Sequence, residues 1–314
     1  VTRAALLLAP LWLGCRSFDS VDDACKDSIR GDQHGSDEAN AFFGRVTCYR
    51  RYAGLSQASI QRDITEAAEA HAAYLETNGV DADWPLETIG EAGFTGETSF
   101  ERIEAAGFPV DWAATFVWEV LAPTDETAPR GEIVDLYLHA PLVRDVLLAP
   151  GWEGGGYAEL DDPSGRLAYF HVVLPLPSNE SANKPVLYPV DGQEDVPISV
   201  PGGGGLPGVA GVTGYPITLT FGSVDVTANP TNPLDVTVYS SLVTGPSGPV
   251  EHTVFLPGLY DTGPNYSTAV LLPTDPLEPN ATYTVTAEVG WVTNPSKSLE
   301  WSFTTGEEAA EAPF

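Results

Sequence analysis

Apolar side chains recur along this chain at two different periods, and the change from one to the other divides it. Ile60, Ile64, Ala67, Ala68, His71 and Leu75 fall on one face at steps of three and four, the mark of an amphipathic helix. Asn78-Gly79 closes that helix, since Gly accepts the left-handed conformation of a C-cap. A second helix is predicted around residues 103–108, ending at Gly107. A third is predicted over 132–148, where Ile133, Leu136, Tyr137, Ala140, Arg144 and Leu147 recur on one side. Pro141 is expected to kink it or divide it. Two strand-like runs follow, 156–160 and 167–174, with Asp162-Pro163-Ser164-Gly165 as the turn between them. From residue 185 the period is that of strands. Short runs at 217–221, 236–239, 253–256, 269–272, 282–289 and 299–305 are separated by turns rich in Pro, Gly and Asn. Thr282-Tyr283-Thr284-Val285-Thr286-Ala287-Glu288-Val289 alternates as a half-buried strand should. Gly202-Gly203-Gly204-Gly205 reads as a flexible loop.

This pattern predicts the α+β class: helices with a terminal hairpin in an α–β–α sandwich, followed by an all-β sandwich. The boundaries it suggests are 39–176 for the first domain, 177–184 for a polar linker and 185–306 for the second domain. Residues 16–38 form a polar N-terminal segment, and 307–314 an acidic tail expected to be disordered.

Composition narrows the function classes. The 314 residues hold 44 acidic side chains against 14 basic ones, a net charge of -30. That charge repels phosphate backbones and anionic lipid surfaces, which argues against nucleic-acid partners. The excess is spread out, with 30 acidic and 13 basic residues in 1–184, and 14 and 1 in 185–314. Spread acid favours a solubility role, with divalent-cation uptake by surface carboxylates as the alternative. Residues 1–15 read as an export segment. Arg3 precedes an apolar run over residues 4–13, too short for a bilayer, which needs about 20 residues, but suited to a signal peptide. Leu13-Gly14-Cys15 resembles a lipoprotein processing site at which Cys15 would be acylated, although Trp12 departs from the usual pattern. Cys25 and Cys48 then remain. Paired, they would close a loop of about two dozen residues, worth roughly 3 kcal/mol in the chain-entropy model. Unpaired, they would be two free thiols, the less favoured state outside the cytoplasm. The expected location is extracytoplasmic: an outer-membrane or cell-surface lipoprotein, or a secreted protein, touching membrane only through a lipid anchor.

A family resemblance rests on several runs that appear in order. They are Arg50-Arg51-Tyr52-Ala53-Gly54-Leu55, His71-Ala72-Ala73-Tyr74-Leu75, Gly93-Phe94-Thr95-Gly96 and Arg102-Ile103-Glu104-Ala105-Ala106-Gly107-Phe108. Ala140-Pro141-Leu142-Val143-Arg144, Leu147-Leu148-Ala149-Pro150 and Gly154-Gly155-Gly156-Tyr157 complete the set. Together they resemble a bacterial CAP domain, of the superfamily of cysteine-rich secretory proteins, antigen five and pathogenesis-related proteins. The second domain resembles a bacterial Ig-like module in Tyr188-Pro189-Val190-Asp191-Gly192, in Leu277-Glu278-Pro279-Asn280-Ala281-Thr282-Tyr283 and in Trp301-Ser302-Phe303-Thr304-Thr305.

The CAP resemblance implies a cleft in which two histidines and two acidic residues can hold zinc or another divalent ion. Glu87, nine residues before Gly96, matches one cleft glutamate, and Glu119 in Trp118-Glu119-Val120 matches the other. The two histidine positions carry Pro85 and Val143 instead. Both carboxylates remain and both imidazoles are gone, so no cofactor is expected, with a divalent ion as a weak alternative. A metal-dependent hydrolase with an altered site would need His139 or His171 to converge with Glu87 and Glu119. His71 reads as a core histidine. Gly-x-Ser-x-Gly and His-Glu-x-x-His are both missing. The favoured function is a non-enzymatic envelope protein that binds a lipid, peptide or glycan. The alternatives are the altered hydrolase, and an adhesive or structural display protein that uses its Ig-like part.

Overall fold

A computed structural model describes residues 18–26, 35–80, 85–111, 115–124, 128–175, 184–222, 234–260, 263–265, 267–291 and 294–312. Its class is α+β, with strand exceeding helix. The first part contains α1 (Val21–Cys25), α2 (Asp37–Tyr52), α3 (Arg62–Asn78), α4 (Ser99–Ala105), β1 (Thr115–Pro123), α5 (Arg130–Tyr137) and α6 (Pro141–Leu147), then the hairpin β2 (Gly154–Asp162) and β3 (Gly165–Pro175). Local signals account for the helix ends. Ser36 caps α2 by accepting from the Ala39 amide, and Thr98 and Glu101 form a reciprocal capping box at α4. Pro141 divides the expected third helix by taking the first position of α6, where its missing N–H costs nothing. Cys25 and Cys48 form a disulfide that ties α1 to α2.

The three strands pair antiparallel in the order β1-β3-β2, and helices cover both faces. Successive residues of β3 point to opposite faces. Ala168, Phe170 and Val172 join the core of α2 and α5, with the Phe170 ring 5.1 Å from that of Phe42. Tyr169 packs with Ala68, Tyr74 and Leu75 of α3, and Val173 with Ile64, Ala67 and Ile103. Burial on both faces explains why β3 reads as an almost unbroken apolar run. The close approach of α3 depends on Gly156, where an added Cβ would lie 2.3 Å from the Ile64 carbonyl oxygen.

The second part begins with β4 (Val186–Tyr188), β5 (Gln193–Val196) and β6 (Ser199–Pro201). Next come β7 (Val212–Gly214), β8 (Ile217–Thr220), β9 (Val236–Gly245), β10 (Gly248–Val250) and β11 (His252–Phe255). It ends with β12 (Gly258–Tyr260), β13 (Gly263–Asn265), β14 (Thr268–Pro273), β15 (Thr282–Trp291) and β16 (Asn294–Thr305). One sheet has the order β10-β9-β15-β16-β5 and another β11-β14-β8-β4, with two-stranded ribbons β12-β13 and β6-β7. Inward residues of both sheets, among them Leu219, Leu271, Val285 and Trp301, join one core that continues into α2 and α6 of the first part.

That continuity is fastened by α6. Arg144 is fully buried; its Nε donates to the Leu138 carbonyl (2.7 Å) and its Nη1 to the Pro216 carbonyl (2.8 Å). Its guanidinium lies 4.5 Å from the Tyr188 ring centre and 5.1 Å from that of Tyr215. The neighbouring Asp145 accepts from the hydroxyls of Ser267 (2.8 Å) and Thr268 (2.5 Å). Two expectations are corrected here. The four glycines 202–205 are no flexible loop: all have positive φ, and Gly203 and Gly204 are buried. A Cβ on Gly204 would meet the His139 carbonyl oxygen at 2.2 Å, so only glycine fits this left-handed turn against the first part. The acidic tail is also placed as far as residue 312. Its Ala310 is buried and donates its amide to the Ser199 carbonyl at 2.7 Å. Most of the expected linker, residues 177–183, lies outside the described residues.

Two glycine substitutions test this packing. Gly156→Ala, which must push α3 off the sheet, is expected to lower unfolding free energy by about 2 kcal/mol or more. Gly44→Ala, inside α2 where the added Cβ meets nothing within 4 Å beyond the helix's own backbone, is expected to raise it by about 0.5–1 kcal/mol. Urea denaturation of the two variants reads both effects.

Candidate functional site

The polar centre of the first part lies on the α3-facing side of the sheet. Glu119 of β1 stands directly across from His171 of β3, and Tyr169 lies two residues before His171 on the same face. α3 lowers His71 toward them, its ring 4.9 Å from that of Tyr169. The segment after α3 delivers Glu87, and α4 delivers Arg102. His71, Glu87, Arg102, Tyr169 and His171 are buried, and the Glu119 side chain retains 12% exposure.

Each carboxylate is already occupied. Glu87 places Oε1 2.9 Å from His71 Nδ1, while its Oε2 accepts from the amides of Thr95 (2.6 Å) and Gly96 (3.3 Å). The Thr95 hydroxyl adds a bond at 3.1 Å. Arg102 sits between the two glutamates. Its Nη2 donates to Glu119 Oε1 and to the Pro85 carbonyl (3.2 Å), and its Nη1 to the Glu97 carbonyl (3.2 Å). Its Nε lies 4.0 Å from Glu87 Oε1. Glu119 also accepts from the Tyr169 hydroxyl at 2.5 Å, and His171 Nε2 lies 3.5 Å from the same oxygen.

Environment pushes these groups in different directions. Burial works to raise Glu87, but the His71 contact, the Thr95 amide, Arg102 and the Gly96 amide outweigh it, so its pKa is lowered. Burial dominates at Glu119 and raises its pKa, opposed by Arg102, by His71 and by a hydrogen bond from Ser99. Burial, then Arg102 and His71, hold His171 well below its ordinary value, so its imidazole is neutral near pH 7.

The site therefore brings together three of the residues expected from sequence: Glu87, Glu119 and His171. It does not include His139, which is engaged with Tyr215 of the second part at 3.1 Å. Val143, at the second histidine position, is a buried apolar residue of α6, and the Pro85 carbonyl serves Arg102. Cys15 lies outside the described residues. Sequence reasoning passed over Arg102 and Tyr169. Arg102 stood in a run quoted for the resemblance, and the strand alternation Tyr169, His171 was the available signal for the second. The donor set does not fit a divalent ion, because the Arg102 guanidinium bonds Glu119, lies 4.0 Å from Glu87 and would repel a second cation placed between them. Among the described residues, no group of three His, Cys, Asp or Glu side chains is arranged to hold a metal.

No family model matches the chain, and no curated protein matches it. Among solved structures it is similar to an outer surface protein of Borrelia burgdorferi, at 17% identity over 42% of this chain and 89% of that one, with a TM-score of 0.32. It is also similar to PcoC, a copper resistance protein from Escherichia coli, at 18% identity over 38% of this chain and 94% of that one, with a TM-score of 0.23. Likenesses this partial carry no functional argument. No helix among the described residues is long and apolar enough to cross a membrane.

Arg102→Met leaves two carboxylates buried without their cation and is expected to cost about 3–5 kcal/mol at pH 7. The loss should shrink as the pH falls and the carboxylates protonate, and pairing the change with Glu119→Gln should restore part of it. Acid should weaken the wild type by a different route. Glu87 and His171 both have lowered pKa values in the folded state, so each gives stability that is present above its unfolded pKa and lost as pH falls toward its folded one. Unfolding free energy is expected to decline from about pH 6.5 downward, where the unfolded His171 begins to bind a proton. His171→Phe should flatten the upper part of that decline in urea titrations run at successive pH values.

Proposed function

We propose that this chain is an extracytoplasmic envelope protein in which a degenerate CAP-type domain and an Ig-like sandwich form a metal-free, non-enzymatic binding module for a lipid, peptide or glycan. The observation that carries this reading is the position of Arg102, bonded to Glu119 and 4.0 Å from Glu87. The two carboxylates that the resemblance would place in catalysis or metal binding serve instead as internal counter-ions. Glu87 is 1% exposed and His171 0%, so neither offers a surface to a substrate. A group that transfers protons or binds a reacting atom must reach it, and the two carboxylates are engaged by Arg102, Tyr169, His71 and the Thr95 and Gly96 amides. The Cys25–Cys48 disulfide supports a location outside the cytoplasm, where such bonds persist. Acylation at Cys15 would supply the attachment, leaving the folded parts to face solvent or a partner.

A second reading, display through the Ig-like part, is favoured by one observation. Among the described residues, four of the seven exposed large hydrophobics, Tyr239, Leu242, Val254 and Leu256, belong to β9, β11 and the residue after β11. Adhesion that is lost in full-length Tyr239→Ser/Leu242→Ser would favour this reading over a site in the first part.

The main reading is tested by thermal unfolding of the full chain with zinc, with calcium and with a chelator. A ligand at about 100 times its Kd stabilises by roughly 2.7 kcal/mol, several degrees for a chain of this size. The melting temperature is expected to be the same in all three. A zinc-dependent rise abolished by Glu119→Gln would overturn the metal-free reading and restore the hydrolase. The same protein is expected to be retained by one of three probes: neutral-lipid vesicles, a peptide library or a glycan array. Retention by none would contradict a binding role.

A further inference from the structure

The junction between the two parts contains a titratable group that none of these roles uses. His139 occupies the bend between α5 and α6. Its Nδ1 lies 3.1 Å from the Tyr215 hydroxyl, and the two rings meet edge to face at 5.7 Å. The adjacent Leu138 carbonyl accepts from Arg144 Nε at 2.7 Å and from the Tyr215 hydroxyl at 3.4 Å. The four-glycine turn closes against the His139 carbonyl, where a Cβ added to Gly204 would lie 2.2 Å from its oxygen. Residue 139 thus meets the second part twice, through its ring at Tyr215 and through its carbonyl at the glycine turn, one residue from the carbonyl that holds Arg144.

The charges facing this bend are one-sided. α6 contributes the Arg144 guanidinium, itself held by carbonyls and by the rings of Tyr188 and Tyr215. The strand that follows Pro216 contributes the Thr218 hydroxyl, and the glycine turn contributes no charge. The two nearest carboxylates in sequence are both engaged elsewhere: Asp135 accepts from Arg45 Nε at 2.6 Å, and Asp145 is taken up by Ser267 and Thr268. A proton on His139 would therefore add a second cation beside Arg144, with no anion among these neighbours to receive it. Burial, then Arg144, push the His139 pKa down from 6.5 to about 4.

We propose that the α5–α6 bend is an acid-operated latch: protonation of His139 releases the second part of the chain from the first. The sign follows from linkage. With the junction open, His139 regains its ordinary affinity for protons, so the open state binds a proton that the closed state does not between pH 6.5 and about 4. Acidification across that window favours the open state by about 300-fold, the factor corresponding to two and a half pH units. Opening would expose the faces around Tyr188 and Tyr215 in an acidified environment and cover them again near neutrality.

The test is hydrogen exchange of the full chain at pH 7 and pH 4.5, corrected for intrinsic rates. Junction amides at residues 138–148 and 215–220 are compared with those of β3. Wild type is expected to lose about a hundredfold of protection at the junction while β3 stays protected, and His139→Gln is expected to keep its junction protection at both pH values. His139→Phe serves as a second variant should Gln prevent folding. Equal acid loss in wild type and variant would overturn the proposal. So would a loss shared equally by β3, which would mark general acid unfolding, or junction protection that does not change with pH.

Discussion

The first part of this protein is organised around a buried arginine that must find acceptors. Arg102 is almost wholly shielded from water, and a guanidinium taken out of water needs acceptors, which its two terminal nitrogens find. Its position on α4 fixes what surrounds it. The segment from Pro85 to Glu97 folds back to present carbonyls, Glu87 approaches within 4.0 Å, and Glu119 rises from β1 to meet it. The same arrangement accounts for the electrostatics. A carboxylate fed by two amides and an imidazole stays ionised easily, while its partner on the strand, more dominated by burial, holds a proton more readily. The polar centre is thus a structural core with the composition of an active site.

A second buried arginine repeats the device between the two parts. Arg144 satisfies carbonyls from both sides of the junction and stacks against two tyrosines of the second part, while Asp145 takes two hydroxyls beside it. Consecutive residues on one short helix therefore commit a cation and an anion to the same neighbour. An interface fastened this way is specific in geometry but sensitive to any added charge, and His139 stands next to it. Stability and responsiveness come from the same few side chains.

Much of this was legible in the chain. The face of α3, the division at Pro141, the closing hairpin and six strand positions of the second part follow from periodicity and turn chemistry, which are local. The spacing from Glu87 to Gly96 located a true contact, since the Gly96 amide bonds that carboxylate. What escaped was set by long-range packing. β1 was not anticipated, although Phe116-Val117-Trp118-Glu119-Val120-Leu121 has strand composition, because its polar member faces a buried arginine rather than water. The four glycines looked flexible because their composition cannot show that a carbonyl from residue 139 presses against them. His139, a cleft candidate only for an altered hydrolase, lies at the break before Pro141 and meets Tyr215 of the second part instead.

The central claim is that Glu87, Glu119, His171 and Arg102 form a closed internal network rather than an open, solvated cleft. Carbon-13 NMR titration of the glutamate carboxyls and histidine rings in the full chain, with and without zinc, tests it most directly. The account predicts that Glu87 titrates below the usual carboxylate range and Glu119 above it, that His171 stays neutral well below pH 6.5, and that zinc moves none of these signals. Ordinary titration of all three groups, or zinc-induced shifts at Glu87 and Glu119, would contradict it.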